Sequence, residues 1–492
     1  MARYKNCDRE QSIMIPVIYS EQLMPGTLEF AIDDIVDNYI DTSVFNIRYK
    51  NESIGAKAYP PSVLLKIILF AYSKGCYTSR KIQELCERNI LFIALTGNLS
   101  PDHSTIAAFI SSMKKEITGV FSDILIRCAQ LDLIGGETFA LDGCKISSNA
   151  AKEMSGTFKE LENKKQKLKT MCKVLLETHT DNDRNEDDII EKRKEKYRKK
   201  IEKIDTFLKS AEPKKGARGR ENKSNITDNE SAKMKSSNGV IQGYNGLSVV
   251  DNKNQVIVNA EAFGQGAEGN LLPELVNNTE RNMNRLDGNW SIENLKIIAD
   301  TNYFSESNCE YLFANKIDGY IPDVYFRKRD PRFPDDYPHR KPGKKNLYGR
   351  DEFNYNEEDN TYICPAGKTL KFDGHHSNHG NIGRRYKADK NDCYYCHLKS
   401  NCLQKNAKLR SFSITDIPKP KTYSEKMIEK IDTPHGREMY SKRMGIVEPV
   451  FGNIRYCKGL NRFTLRGREK VNIQWLLYCC VHNIEKTLKA VE

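Results

Sequence analysis

Thr138-Phe-Ala-Leu-Asp-Gly143 is the stretch on which the reading of this chain turns. A run suited to a buried strand ends on a carboxylate, and Leu295-Lys-Ile-Ile-Ala-Asp300 repeats the pattern. Burying a carboxylate is costly unless a positive group makes up for its lost hydration. A third acid, Glu448, lies in Tyr440-Ser-Lys-Arg-Met-Gly-Ile-Val-Glu-Pro-Val-Phe-Gly452. Tyr440, Met444, Val447, Phe451 and Ile454 recur there at helical spacing, with Gly445 and Gly452 leaving space around Glu448. Pro449 lacks an N–H, so the helix either starts there, with Glu448 near its N-cap, or kinks. Each acid alone has a plainer reading. Asp142-Gly143 suits a hairpin turn, Asp300 suits a helix N-cap, with Thr301 as the alternative, and Glu448 suits an exposed surface. As a trio they suit a divalent cation, and hard oxygen ligands select Mg²⁺ or Mn²⁺.

The chain has 492 residues, enough for about three domains. Hydrophobic residues make up 38% and charged residues 29%, and the net charge is +12. The basic residues cluster in Lys192-Arg-Lys-Glu-Lys-Tyr-Arg-Lys-Lys200, Lys214-Lys-Gly-Ala-Arg-Gly-Arg220, Arg327-Lys-Arg329 and Arg340-Lys-Pro-Gly-Lys-Lys345. One such run is ordinarily a solvated surface. Several together favour a polyanion, because neutralised phosphates release counterions. No signal peptide is visible, and no stretch approaches the ~20 apolar residues of a membrane span. Val63-Leu-Leu-Lys-Ile-Ile-Leu-Phe-Ala-Tyr72 is too short and reads as a buried helix. The expectation is a cytoplasmic protein, no membrane partner, and 14 cysteines that are mostly reduced thiols.

Residues 1–135 read as an all-helical N-terminal domain, with Ser100-Pro-Asp102 as a helix start. Its short helices fit a DNA-binding helix-turn-helix-like unit or a plain bundle equally well. Residues 151–225 read as a helical hairpin followed by a basic linker. Met154, Phe158, Leu161, Leu168, Met171 and Leu175 form one apolar series, and Ile190, Tyr197, Ile201, Ile204 and Leu208 the other. Tyr244 to Asp251 and Gln255 to Ala260 read as a β-hairpin. Residues 326–404 read as a loop followed by a Cys-rich insertion, and the last ~65 residues as helical. Strand, hairpin, helix and strand, with Asp after two strands and Glu on a later helix, is how an RNase H-like core assembles three carboxylates. The expected fold is therefore α/β: an RNase H-like core from residues 136–150, 226–325 and 405–492, with helical and Cys-rich insertions, preceded by the helical domain. Two divalent ions held by such a trio can activate a hydroxyl and stabilise a leaving 3′ oxygen.

These motifs resemble the DDE transposases of bacterial insertion sequences, in the subgroup with a helical N-terminal domain and a cysteine cluster before the last catalytic helix. Thr138-Phe-Ala-Leu-Asp-Gly-Cys-Lys-Ile-Ser-Ser-Asn-Ala150 is similar to the first-Asp motif, Ile298-Ala-Asp-Thr-Asn-Tyr-Phe-Ser-Glu306 to the second, and Arg443-Met-Gly-Ile-Val-Glu-Pro-Val-Phe-Gly-Asn-Ile-Arg455 to the Glu motif. Thr227 to Lys235, Gly243-Tyr-Asn-Gly246, Arg466-Gly-Arg-Glu-Lys-Val471 and Tyr59-Pro-Pro through Phe109 extend the likeness over most of the chain. Asn302 departs from a common glycine, and Arg455 from a common lysine. Tyr440 and Arg443 do not match the tyrosine–arginine–glutamate–lysine spacing of some cousins. The resemblance implies metal-dependent cleavage and strand transfer, with Asp142, Asp300 and Glu448 as catalytic ligands of Mg²⁺ or Mn²⁺. It implies double-stranded DNA, both element ends and target, as partner, and a homo-oligomer on that DNA. Lys145, Arg455 and Lys458 are the candidates for phosphate contacts. The rival readings are an RNase H-like nuclease without joining activity and a non-catalytic DNA-binding protein derived from a transposase.

Cys364, Cys393-Tyr-Tyr-Cys396 and Cys402 are a separate candidate, a structural Zn²⁺ site with His397 as a substitute ligand. Four reduced thiols without metal are the alternative. The remaining cysteines are scattered and read as buried thiols.

Overall fold

Phe139, Ala140 and Leu141 are fully buried, as an apolar strand requires, but the strand does not stop at Asp142. It runs unbroken as β1 (Thr138–Ser147). The computed structural model describes residues 16–49, 51, 57–177, 184–216, 219–236, 239–293, 295–330, 332, 347–378, 381–404, 406–417 and 421–491. The basic stretch Arg340–Lys345 lies outside the described residues. The chain divides into two units: Met1–Pro322 with Thr433–Glu492, and Asp323–Asp432.

The sheet of the first unit adds β2 (Ala232–Ser236), β3 (Gly239–Asp251), β4 (Ile257–Phe263), β5 (Lys296–Ala299) and β6 (Asp318–Tyr320). β3 is antiparallel to β1 along most of its length, with Asp142 opposite Ser248. On its other edge β3 takes β2 at residues 239–243 and β4 at residues 245–250, both antiparallel. β5 runs parallel to β1 and β6 parallel to β5. The β1–β5 ladder closes at Leu141 opposite Ala299. Asp142 and Asp300 therefore follow the last paired residues of two neighbouring parallel strands. This corrects the hairpin-turn reading of Asp142-Gly143 and the view that Asp142 ends its strand: β1 outruns β5 and stays paired to β3. The close β1–β3 approach needs glycine, since a Cβ at Gly243 would stand 2.1 Å from the Ile146 carbonyl oxygen.

Helices α1 (Leu28–Asn38), α2 (Pro61–Ser73), α3 (Ser79–Arg88), α4 (Ile90–Thr96), α5 (His103–Ser112) and α6 (Glu116–Gln130) precede the sheet. α2 is the buried helix the sequence promised, with Leu64 to Tyr72 all inaccessible. Its one lysine, Lys66, reaches Asp33 at 2.7 Å and Asp37 at 2.6 Å, so the ammonium is paired where its stem is buried. Asp102 caps α5, accepting from Ser104 N and Thr105 N. After β1 come the hairpin helices α7 (Phe158–Glu177) and α8 (Arg184–Ser210), packed through Leu161, Leu168 and Ile204. Met171, expected in that seam, is exposed. α9 (Leu272–Leu286) follows β4, and α10 (Glu306–Ala314) joins β5 to β6.

α11 (Pro434–Gly452) and α12 (Arg468–Val491) close the unit. α12 covers the outer edge of β4. Asn472 Oδ1 accepts from Ala262 N at 2.9 Å, and Asn483 exchanges two 2.9 Å bonds with the Ile257 backbone. Those bonds satisfy an edge that would otherwise template foreign strands. Trp475 lies under Gly246, where a Cβ would meet its ring at 3.0 Å, and donates to Leu247 O at 3.1 Å. The other face of α12 takes the N-terminal helices, with the Tyr72 and Tyr478 rings 4.9 Å apart. Residues 1–135 thus share a core with the sheet and belong to its unit.

The second unit is a five-stranded antiparallel sheet of β7 (Asn354–Asn356), β8 (Thr361–Ile363), β9 (Thr369–Asn378), β10 (Asn381–Ala388) and β11 (Ser411–Ile417), in sequential order. Phe353, Tyr362, Leu370, Tyr386, Ala388 and Ile414 form its core. Residues 405–432, assigned from sequence to the main core, belong here instead. β11 completes this sheet against β10, and the helix Tyr423–Asp432 also falls within the unit. The alternating Ser-Phe-Ser-Ile pattern, with Ile414 inward, is the physical reason.

Candidate active site

Asp142, Asp300 and Glu448 line one pocket of about 670 Å³, together with Gly143, Lys145, Lys235, Glu268, Asn302, Phe451, Gly452, Arg455 and Tyr456. Asp142 Oδ1 accepts from Gly143 N at 2.8 Å, and its Oδ2 faces Arg443 Nη2 at 2.7 Å. Asp300 is also the N-cap its sequence allows, on a one-turn 3₁₀ segment, Thr301–Tyr303. Asn302 donates to it twice, backbone N to Oδ1 at 2.9 Å and side-chain Nδ2 to Oδ2 at 3.0 Å. Asn302 thus steadies a carboxylate that a glycine side chain could not reach.

Glu448 is an exposed residue of α11. The helix neither starts at Pro449 nor ends there; Pro449 lies inside it. A helical proline leaves the carbonyl four residues back without its N–H. That carbonyl belongs to Gly445, and Gln255 Nε2 donates to it at 2.8 Å. α11 then passes into a π-helical turn, Asn453–Cys457, which carries Arg455 and Tyr456 to the pocket. Such turns recur at functional sites.

The electrostatics are those of crowded acids. Burial pushes the Asp142 carboxyl above the ordinary range, against the downward pull of Arg443, while Asp300 adds to the rise. Glu268 is a fourth pocket carboxylate that sequence reasoning missed. It is 5% exposed, and burial, then the charges of Asp300 and Asp142, push it up against the favourable Asn245 amide and Lys145. A signal was present: an acid follows an apolar strand and a Gly264-Gln-Gly266 turn. Polar groups without a hydrogen-bond partner among the described residues include the Asn245 amide, the Tyr303 hydroxyl and Nε of both Arg443 and Arg455. Asn245 favours the charged Glu268 by its dipole, although its amide misses full hydrogen-bond geometry.

Of the candidate phosphate contacts, Lys145 and Arg455 line the pocket, and Lys145 stands 3.7 Å from Glu268. Lys458 is a correction. It is 1% exposed, its ammonium is bound by Glu485 at 2.6 Å and Asn453 at 2.7 Å, and no phosphate can approach it. Arg443, whose role the spacing left open, is the cation that meets Asp142.

In the second unit, Cys364, Cys393, Cys396 and Cys402 line one cavity of about 20 Å³. That is room for a single ion-sized guest. Cys364 Sγ accepts from Lys368 N at 3.3 Å, and Cys393 Sγ from Arg410 N at 3.4 Å. Burial raises the Cys393 and Cys402 thiols, and the neighbouring sulfurs raise them further. The donor chemistry fits zinc. Among the described residues, however, no three His, Cys, Asp or Glu side chains, here or in the main pocket, already stand as ligands of one ion.

Two family models match the chain. One, described as Transposase DDE domain, matches residues 363–488 and includes Glu448, Arg455 and the four cysteines. The other, described as Transposase domain (DUF772), matches residues 18–112 in the N-terminal helices. Neither match reaches Asp142 or Asp300. No curated protein and no solved structure matches the chain. Domains similar to those of transposases at both ends, around a mixed α/β sheet unit, indicate a protein of the transposase class. Within that class the two matches support a DDE transposase of an insertion sequence. No helix among the described residues is long and apolar enough to cross a membrane.

Proposed function

We propose that the pocket is a polynucleotidyl transferase centre on an RNase H-like sheet, cutting double-stranded DNA at the ends of an insertion sequence and joining the freed 3′ end to a target. The observation that carries this is the convergence of Asp142 from β1, Asp300 after β5 and Glu448 from α11 on one pocket. The strand order supports the fold: a long strand antiparallel to β1 on one side, and two strands parallel to it on the other.

Asp142, Asp300 and Glu448 would hold Mg²⁺ or Mn²⁺, which when bound supplies an activated hydroxyl nucleophile and stabilises the departing 3′ oxygen. Asn302 fixes the Asp300 carboxylate, and Gly143 N and Arg443 fix that of Asp142. Lys145, Lys235 and Arg455 bring positive charge to a pocket that holds four carboxylates, where a DNA phosphate would sit. Joining two ends requires two such centres, which is the argument for a homo-oligomer on DNA. In the second unit, the four thiols would hold a structural Zn²⁺ that staples Cys364 to the segment 393–402.

The test is Asp300→Asn. Losing one metal-holding charge removes several kcal/mol of transition-state stabilisation, so cleavage of an element-end duplex should fall by about 10³-fold or more while DNA binding persists. Unchanged cleavage sinks the proposal. Cleavage without strand transfer from a 3′-OH product would leave a nuclease, and binding without cleavage by the unaltered chain would leave a DNA-binding protein.

A further inference from the structure

We propose that the lysine face of α8 is a docking track for duplex DNA flanking the site of cleavage, an inference that rests on the proposed function for its partner. Lys192, Lys196, Lys199 and Lys203 recur at spacings of four, three and four, one face of a helix, and share a groove with Lys200, Glu191 and Glu195. The opposite side of α8 is occupied by its own core: Ile204 is buried, and Tyr197, Ile201, Phe207 and Leu208 pack around it. Hydrophobic packing therefore fixes which side the lysines present.

The acids of α8 neutralise that face only in part. Glu195 pairs with Lys199 on it, whereas Glu191 pairs with Lys194 and Arg198, and Asp205 with Lys209 and Lys165. Among the described residues Lys192, Lys196, Lys200 and Lys203 form no ion pair. Lys200 also lies near Lys164 of α7, where burial disfavours the Lys164 ammonium, the Glu153 charge favours it and the Lys200 charge adds to the penalty. Like charges set side by side are relieved by a polyanion.

The track leads toward the acidic pocket. Lys203 lines a second groove with Thr206, Thr227 and Arg466. Arg466 Nε donates to Asn149 O at 2.7 Å, and Arg462 Nε to Ser148 O at 3.1 Å, just beyond the end of β1. β1 carries Lys145 and Asp142. From Lys192 to Lys203 the helix rises about 16 Å, the length of roughly five base pairs at 3.4 Å each. From Asp142 to Ser147 the strand covers a further 16 Å or so. The α8 lysines thus meet phosphates beyond the few base pairs that the pocket itself engages.

The experiment uses the full chain, a random-sequence DNA duplex of about 40 base pairs and a salt titration of its affinity. Each lost phosphate contact lowers the slope of log K against log salt by about 0.9. The quadruple variant K192Q/K196Q/K200Q/K203Q should therefore lose up to about 3.6 from the slope and bind the duplex at least about 10-fold more weakly at low salt. In the unaltered chain, bound duplex should shield these lysines from an amine-reactive label, a readout that needs no variant. An unchanged slope, unshielded lysines, or tighter binding of an RNA duplex of equal length overturns the proposal. Because the readout is binding, a chain that binds through α8 yet cuts nothing defeats the cleavage reading alone. A chain that cuts normally with an unchanged slope in the variant defeats the track alone.

Discussion

Arg443 Nη2 stands 2.7 Å from Asp142 Oδ2, with the two side chains 14% and 19% exposed. One guanidinium from α11 thus supplies the counter-charge that a carboxylate on a central strand needs. Removing it by Arg443→Gln leaves Asp142 without that cation. Breaking a buried pair costs about 3–5 kcal/mol, which partial exposure reduces here to roughly 1–3 kcal/mol. If Asp142 is a metal ligand, Mn²⁺ and Arg443 compete for it, so Mn²⁺ should raise the melting temperature of the variant more than that of the unaltered chain. Thermal melts with and without Mn²⁺ decide this; equal shifts would separate Asp142 from metal binding.

Glu268 sets a pH dependence. Burial, with Asp300 and Asp142 behind it, holds its carboxyl above the ordinary 4.5. A carboxyl raised on folding contributes stability that is complete below 4.5 and is lost as pH rises through the folded-state value. Glu268→Gln removes that loss, so the variant should gain stability relative to the unaltered chain as pH climbs above 4.5. Urea unfolding across that range measures the difference, and a pH-independent gap refutes the assignment.

The four thiols of the second unit predict a metal content of about one zinc per chain by elemental analysis. Cys393→Ser combined with Cys396→Ser should abolish it. Stripping the metal with a chelator should expose residues 323–432 to protease, since binding free energy at such a site is folding free energy. Metal-free protein with full protease resistance would favour plain reduced cysteines.

Lys458 is expected to matter for stability and not for DNA. Its pair with Glu485 is buried on the lysine side and 28% exposed on the other. Lys458→Met should cost about 2–3 kcal/mol, below the 3–5 kcal/mol of a fully buried pair, in denaturant unfolding. The salt slope of DNA binding should stay unchanged.

Sequence alone was enough to single out Asp142 and Asp300 as candidates, because a carboxylate at the end of an apolar run contradicts its surroundings and is visible locally. It also located the buried α2 and the two-helix insertion, since these depend on periodicity within one segment. It did not assign residues 405–432, because whether β11 joins one sheet or another depends on a partner strand elsewhere in the chain. Lys458 and Arg455 are three residues apart and equally basic in sequence. A π-helical turn sends Arg455 to the pocket and Lys458 into the interior. Glu268 carried a faint signal, an acid after an apolar strand and a glycine turn, but only folding buries it where the charges of Asp142 and Asp300 reach it. Local chemistry is written along the chain. Register, burial and the pairing of distant charges arise only when β1 outruns β5 and α11 crosses their ends, because those energies depend on what each side chain meets in space.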